Sequence, residues 1–269
     1  METRKTNHLY EYKLFLDFPR HLKNSKEFIS SLVQSVRKTG FGFLGFSKKE
    51  YLKKCLERQI SVTTKGLENI SDIHKKSIEE IIEAEISRLK ELVSSQKTYM
   101  YVFLTFSDFV LNKMGGVSGY TPWKDIIFLF VHPKARNINL CLKRTLAHEY
   151  IHSVSREHHE WSTLLDALVF EGLAELFITE HFNGHISPWT KTLTIEECRK
   201  YLAQVKEKLK SKSDDDYRGL FFNDETYPLW AGYSIGYQIV KSYRQKNKDI
   251  TWNELLKKEV AEIYNHSHL

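Results

Sequence analysis

Residues 162–180, STLLDALVFEGLAELFITE, constrain the fold more than any other stretch of this chain. Leu164, Leu165, Leu168, Val169, Phe170, Leu173, Ala174, Leu176, Phe177 and Ile178 leave a helix here almost no polar face. A helix apolar all round belongs in the middle of a core. Yet Glu171 and Glu175 sit at its centre, four residues apart and therefore on one side. A buried carboxylate without a partner costs several kcal/mol and would ordinarily take up a proton. A cation facing the pair removes that cost. Gly172, beside the first carboxylate, gives up about 1 kcal/mol of helix propensity, which makes sense where a neighbouring helix must come close.

Residues 146–152, LAHEYIH, supply the means to hold such a cation. His148 and His152 are one helical turn apart and point the same way. Two imidazoles at that spacing can reach one metal ion at roughly 2.0–2.1 Å. Glu149 is turned about 100° from His148 and flanks the same cavity. The pattern is H-E-x-x-H. The competing reading is a helix whose polar residues face water, but Leu140, Leu142, Leu146, Ala147, Tyr150, Ile151 and Val154 surround it with apolar surface. The expectation is therefore one zinc ion held by His148, His152 and Glu171. Glu175 would receive the free ring N–H of a ligand histidine, against the alternative of a rim carboxylate. Three protein ligands leave a position for water, as in catalytic zinc sites. Glu149 is then the general base, taking a proton from the attacking water and passing it to the leaving amine.

A developing oxyanion needs a further donor. PLWAGYSIGYQIV, 228–240, offers Tyr233 and Tyr237 one turn apart, with Gly232 and Gly236 making a smooth face and Pro228 suiting a helix start. For each tyrosine, packing in the core is the alternative. His132, His158, His159, His181 and His185 are not needed to complete the site.

The rest of the pattern is α+β. Helices are expected over 25–38, 48–58 and 72–95, joined by the apolar turn FGFLGF at 41–46, so the first 95 residues read as a helical N-terminal segment. Strands are expected over 99–106 and 126–131, the second buried on both faces. Between them NKMGGVSGYTPWK, 112–124, reads as a Gly/Pro loop. Helices follow near 138–157, 162–182, 194–211, 227–246 and 251–264, with SDDDYRG, 213–219, as an exposed linker. A small sheet followed by a helical half thus makes one domain over 96–269. Residues 1–60 carry 13 Lys/Arg against 6 Asp/Glu, a surplus that could meet an acidic partner. No nucleic-acid signature accompanies it, and a solvated basic surface is the expectation. The start of the sequence has no apolar leader run, and no apolar stretch reaches 18 residues. Cys55, Cys141 and Cys198 are scattered, as free thiols in a reducing cytosol would be. A cytoplasmic location follows, with no membrane contact.

HEYIH, then 18 residues, then the first Glu of FEGLAE is similar to the gluzincin arrangement H-E-x-x-H-x18-E. HEYIH, EGLAE and the later GYSIGYQIV together resemble the YjaZ-like predicted zinc-dependent proteases of bacilli, over roughly residues 100–245. That resemblance implies a zincin-like catalytic domain, one catalytic zinc and hydrolysis of peptide bonds in a peptide or flexible protein substrate. Tyr233 lies 62 residues after Glu171, similar to the spacing in the aminopeptidase branch of the gluzincins. Those aminopeptidases grip a free amine partly through a Glu in a G-x-M-E-N stretch upstream of the zinc motif. Here the corresponding region, 112–125, contains no Glu, so cleavage of internal bonds is expected. Two other readings compete: a zinc-binding regulator without peptidase activity that uses its basic N-terminal segment on a partner, and a nucleic-acid binder with an accidental H-E-x-x-H. Glu149 separates the first from an enzyme, since a metal scaffold has no need of it.

Overall fold

The computed structural model describes residues 3–6, 9–17, 25–38, 46–59, 72–222 and 225–269. Its elements are β1 (Thr3–Thr6), β2 (Tyr10–Phe15), α1 (Ser25–Lys38), α2 (Phe46–Gln59), α3 (Asp72–Leu92), β3 (Thr98–Leu104), α4 (Asp108–Lys113), β4 (Val117–Trp123) and β5 (Ile126–Val131), then α5 (Ile138–His158), α6 (Leu164–His181), α7 (Ile195–Val205), α8 (Asp214–Phe222), α9 (Ala231–Lys246), α10 (Trp252–Leu255) and α11 (Val260–Asn265). A short 3-10 turn, Pro188–Lys191, follows α6. The class is α+β, as expected. The turn expected at 41–46 lies outside the described residues, apart from Phe46, which opens α2.

The chain forms two compact units. The first draws its described residues from Met1–Ile86, Lys97–Tyr120 and Ile126–Leu146, the second from Ser87–Gln96, Thr121–Asp125 and Ala147–Leu269. The stretch Ser87–Gln96 belongs to the second unit. The N-terminal segment is also not purely helical: β1 and β2 precede its helices, and β2 pairs in parallel with β3, Tyr10 opposite Thr98 through Phe15 opposite Phe103. Among the described residues five strands form one sheet, in the order β1-β2-β3-β5-β4. β1 runs antiparallel to β2, and β3 parallel to β5. All six residues of β5 are buried, as its unbroken apolar run required. Stacked and edge-on rings of Phe15, Tyr101, Phe103, Phe128 and Phe130 fill the first unit's core.

The Gly/Pro loop expected at 112–124 contains a strand instead. β4 is the outermost strand of the sheet, and an edge strand tolerates a proline that a central one would reject. The acidic linker is likewise a helix, α8, whose first turn holds Asp214, Asp215 and Asp216. Negative charge there favours the positive end of the helix dipole.

In the second unit α6 is the central rod. Its residues from Ala167 to Ile178 are all buried. Thr163 starts it through a capping box: its hydroxyl accepts from the Asp166 N–H, and the Asp166 carboxylate accepts from the Thr163 N–H. α9 crosses α6 at two glycines. A Cβ on Gly172 would fall 2.1 Å from the Gly236 carbonyl oxygen, and one on Gly236 would fall 2.0 Å from that of Leu168. The low helix propensity of Gly172 is explained by this contact. α9 starts later than Pro228 suggested, after Trp230 in a left-handed conformation at φ 70°. The helix expected over 251–264 is two short ones, α10 and α11.

Candidate metal centre

α5 presents His148 and His152 one turn apart, and α6 presents Glu171 towards them. The His148 and His152 Nε2 atoms are 3.0 Å apart, and they lie 3.2 and 3.3 Å from Glu171 Oε2. Among the described residues this is the cluster that could hold a metal ion. Glu149, His152 and Glu171 are at most 5% exposed. A tetrahedral ion bonded at about 2.0–2.1 Å spaces its ligand atoms by roughly 3.3–3.4 Å, close to these separations. Two further observations fit a cation there. Glu171 Oε2 is buried, and the polar groups before it are the two imidazole nitrogens, an arrangement that is costly unless something positive sits between them. The donor set, two imidazoles and one carboxylate, is one that zinc takes.

Glu175 faces the other side of the same imidazole. Its Oε1 lies 2.9 Å from His148 Nδ1. A proton on Nδ1 shared with Glu175 leaves the Nε2 lone pair free and aimed at the common point. Burial works against charge on His148, but hydrogen bonds and charges from Glu171 and Glu175 outweigh it and hold its pKa well above the ordinary value. Burial would raise Glu171, yet the histidines hold it down to about 2. Without metal the pair is thus stabilised by a proton, whose place a cation would take.

Glu149 points to a different neighbour. Burial lifts its pKa above the usual carboxylate range, opposed by the two histidines and by a hydrogen bond from Thr121. The Thr121 hydroxyl lies 2.8 Å from Glu149 Oε2 and 2.9 Å from the Glu149 carbonyl oxygen. It reaches both from β4. Ser153 adds a second tie, its hydroxyl donating to the Lys124 carbonyl at 2.5 Å. The sequence carries no signal for Thr121, because 112–124 reads as a Gly/Pro loop and the residue lies on a strand.

The two tyrosines part company. Tyr233 is half-buried, and its pKa lies well above the ordinary value because of burial and then the charges of Glu171, Tyr217, Glu175 and Glu149. Its hydroxyl therefore feels the charge of the acidic cluster and stays protonated. Tyr237 is 2% exposed, with the Lys241 ammonium 5.4 Å from its ring centroid. The Tyr233 ring packs against Phe221 of α8 and Trp189, with ring centroids 5.2 and 6.4 Å away. On the opposite side Trp161 packs 5.0 Å from the His152 ring, with the Arg156 guanidinium 4.7 Å over the indole.

An α+β chain that brings two imidazole nitrogens and a carboxylate oxygen around one point, with another buried carboxylate next to the first imidazole, has the donor set of a candidate His2Glu metal site. The family described as predicted Zn-dependent protease (DUF2268) matches residues 78–265, and the chain belongs to that family. This bears out the resemblance carried by HEYIH, EGLAE and GYSIGYQIV. The chain is 30% identical over 148 residues to the uncharacterized protein YjaZ of Bacillus subtilis (strain 168), covering 52% of this chain and 55% of that one. It is 27% identical over 148 residues to the uncharacterized protein YjfC of the same organism, covering 49% and 47%. These matches span about half the length of each relative. A crystal structure of an aminopeptidase N family protein from Idiomarina loihiensis aligns over 98% of this chain and 40% of its own, at 14% identity and a TM-score of 0.42. That likeness is too slight to bear on the fold. No helix among the described residues is long and apolar enough to cross a membrane.

Proposed function

We propose that the chain is a cytosolic, zincin-like zinc peptidase acting on internal bonds of peptides or flexible proteins, with one zinc held by His148, His152 and Glu171. The convergence of those three ligand atoms within 3.0–3.3 Å carries the reading. When bound, zinc supplies a Lewis acid and lowers the pKa of a coordinated water to about 7. Glu149 is the general base. Thr121 occupies Oε2, which leaves Oε1 to take a proton from the attacking water, and the raised pKa of the buried carboxylate suits passing that proton to the leaving amine. Tyr233 donates its hydroxyl to the oxyanion. It is favoured over Tyr237 by the carboxylates whose charges it feels. An internal cut is favoured by the absence of Glu from residues 112–125 and by the position of β4 at the edge of the sheet, where an extended substrate could add as a strand.

The test is metal analysis with digestion of a peptide library by wild-type protein and Glu149→Gln. Both proteins should hold about one zinc per chain, and only the wild type should cut. An N-acetylated peptide should be cleaved as well as its free-amine twin. Normal turnover by Glu149→Gln rules out the mechanism, and single residues released only from free amino ends rule out the endopeptidase.

A further inference from the structure

We propose that Trp189 is a positioning residue that sets zinc affinity through Glu175 and His148. This rests on the zinc reading above. The indole Nε1–H of Trp189 donates to Glu175 Oε1 at 2.7 Å, the same oxygen that lies 2.9 Å from His148 Nδ1. Glu175 is 1% exposed, and its other oxygen accepts no hydrogen bond. One carboxylate oxygen therefore takes both of the carboxylate's side-chain donors, and the indole fixes the rotamer from which Glu175 meets the imidazole. Partners of this kind orient ligand histidines and typically change metal affinity 10–100-fold when removed.

The turn that carries Trp189 is built to hold it still. Pro188 opens the 3-10 turn Pro188–Lys191. The Thr190 hydroxyl and backbone N–H both donate to the Ser187 carbonyl, at 2.8 and 3.1 Å. Ser234, fully buried on α9, donates its hydroxyl to the Trp189 carbonyl at 3.1 Å and accepts from the Leu193 N–H at 3.3 Å. The indole also packs edge-on against Trp230, with ring centroids 6.0 Å apart. A side chain needed only to fill space would not require its N–H aimed at a buried carboxylate.

The test is a double-mutant cycle on zinc affinity, measured by competition with a chelator at fixed pH. Trp189→Phe removes the N–H and keeps an aromatic ring. It should weaken zinc binding about tenfold or more in the Glu175 background. In the Glu175→Gln background, already weakened, the same change should cost no more than about twofold, because the two residues act in series. Equal losses in both backgrounds would show that Trp189 acts by packing, and an unchanged affinity overturns the proposal outright. A second measurement is made on the wild-type turn. In protein labelled with 15N-tryptophan, which has five indole N–H resonances, the Trp189 resonance, assigned by its loss in Trp189→Phe, should move on zinc addition and shift again in Glu175→Gln. If the Trp189 resonance does not move, the proposal fails. A wild-type chain that takes up no zinc sinks both this proposal and the metal reading beneath it, whereas normal wild-type zinc with an inert Trp189 sinks this one alone.

Discussion

Gly236→Ala tests whether the site depends on the crossing of α6 and α9. The added Cβ would lie 2.0 Å from the Leu168 carbonyl oxygen, 3.0 Å from its carbon and 3.2 Å from the Gly172 nitrogen. All three neighbours are backbone, so no side chain can swing aside. Ordinary contact begins at 3.4 Å, and the gap between 2.0 and 3.4 Å asks α9 to retreat by about 1.4 Å. Overpacking of this kind costs about 1–3 kcal/mol. Alanine returns about 1 kcal/mol of helix propensity. The net loss is at most about 2 kcal/mol, a melting point lower by up to roughly 8 °C in a chain of this size. Tyr233 moves with α9, and a displacement near 1 Å at a catalytic group can cost about 10²-fold in rate. Thermal melting with kcat on a cleaved peptide reads both effects, while zinc content should hold, because the ligands are on α5 and α6. A Gly236→Ala protein that melts at or above the wild-type temperature with normal kcat would falsify the close-crossing argument.

Tyr233→Phe should lower kcat about 10²-fold with little change in KM, as expected for a bond made mainly in the transition state. Tyr237→Phe should be near normal, and the reverse ranking would exchange the two roles. Thr121→Val should lower kcat about tenfold or more at constant zinc content, since a hydrogen bond to a charged group is worth about 1.5–3 kcal/mol. Thr121→Ser should restore it, and a serine variant as slow as valine would reduce Thr121 to packing. Lys90 gives a pH prediction away from the metal. Burial pushes its ammonium down to about 8, where it donates to Ser95 Oγ at 2.6 Å and to the Gln96 carbonyl at 2.8 Å. The unfolded chain then binds more protons than the folded one from about pH 8 upward, so this residue's contribution to stability rises with pH until its ordinary range near 10.5. Urea unfolding of wild type and Lys90→Met between pH 7.5 and 10 should show the difference shifting towards the wild type as pH rises. A difference that is flat with pH refutes the shift.

The residues of the metal centre were legible because they were anomalous. Carboxylates inside an all-apolar helix and imidazoles on a buried one are too costly to leave unexplained. Helical spacing then fixed which of them share a face. The buried strand β5 was legible for a related reason, an apolar run that only burial on both faces accommodates. Other elements hid behind residues that are ordinary in two settings. Gly119 and Pro122 mark loops more often than strands, and only the outermost place in the sheet makes β4 compatible with them. In β2, Glu11 and Lys13 are as buried as Tyr10, Tyr12 and Leu14, so the alternation of polar and apolar residues did not mean one wet face. Three aspartates at 214–216 suggested a solvated linker, although they suit a helix N-terminus equally well.

The same asymmetry explains why the groups that hold the site in place escaped the sequence. Thr121 is at home in any strand and Trp189 in any packed turn, so neither residue type demands an explanation where it stands. Their roles come from contacts across 28 and 14 residues of chain, and no local periodicity reports such contacts. A metal centre of this kind therefore separates into two parts. The proposed ligands and base carry charge into an apolar interior and betray themselves by its cost. The groups that aim them, a hydroxyl on Glu149 and an indole on Glu175, carry no charge and become visible only when β4 and the Pro188–Lys191 turn are seen against α5 and α6.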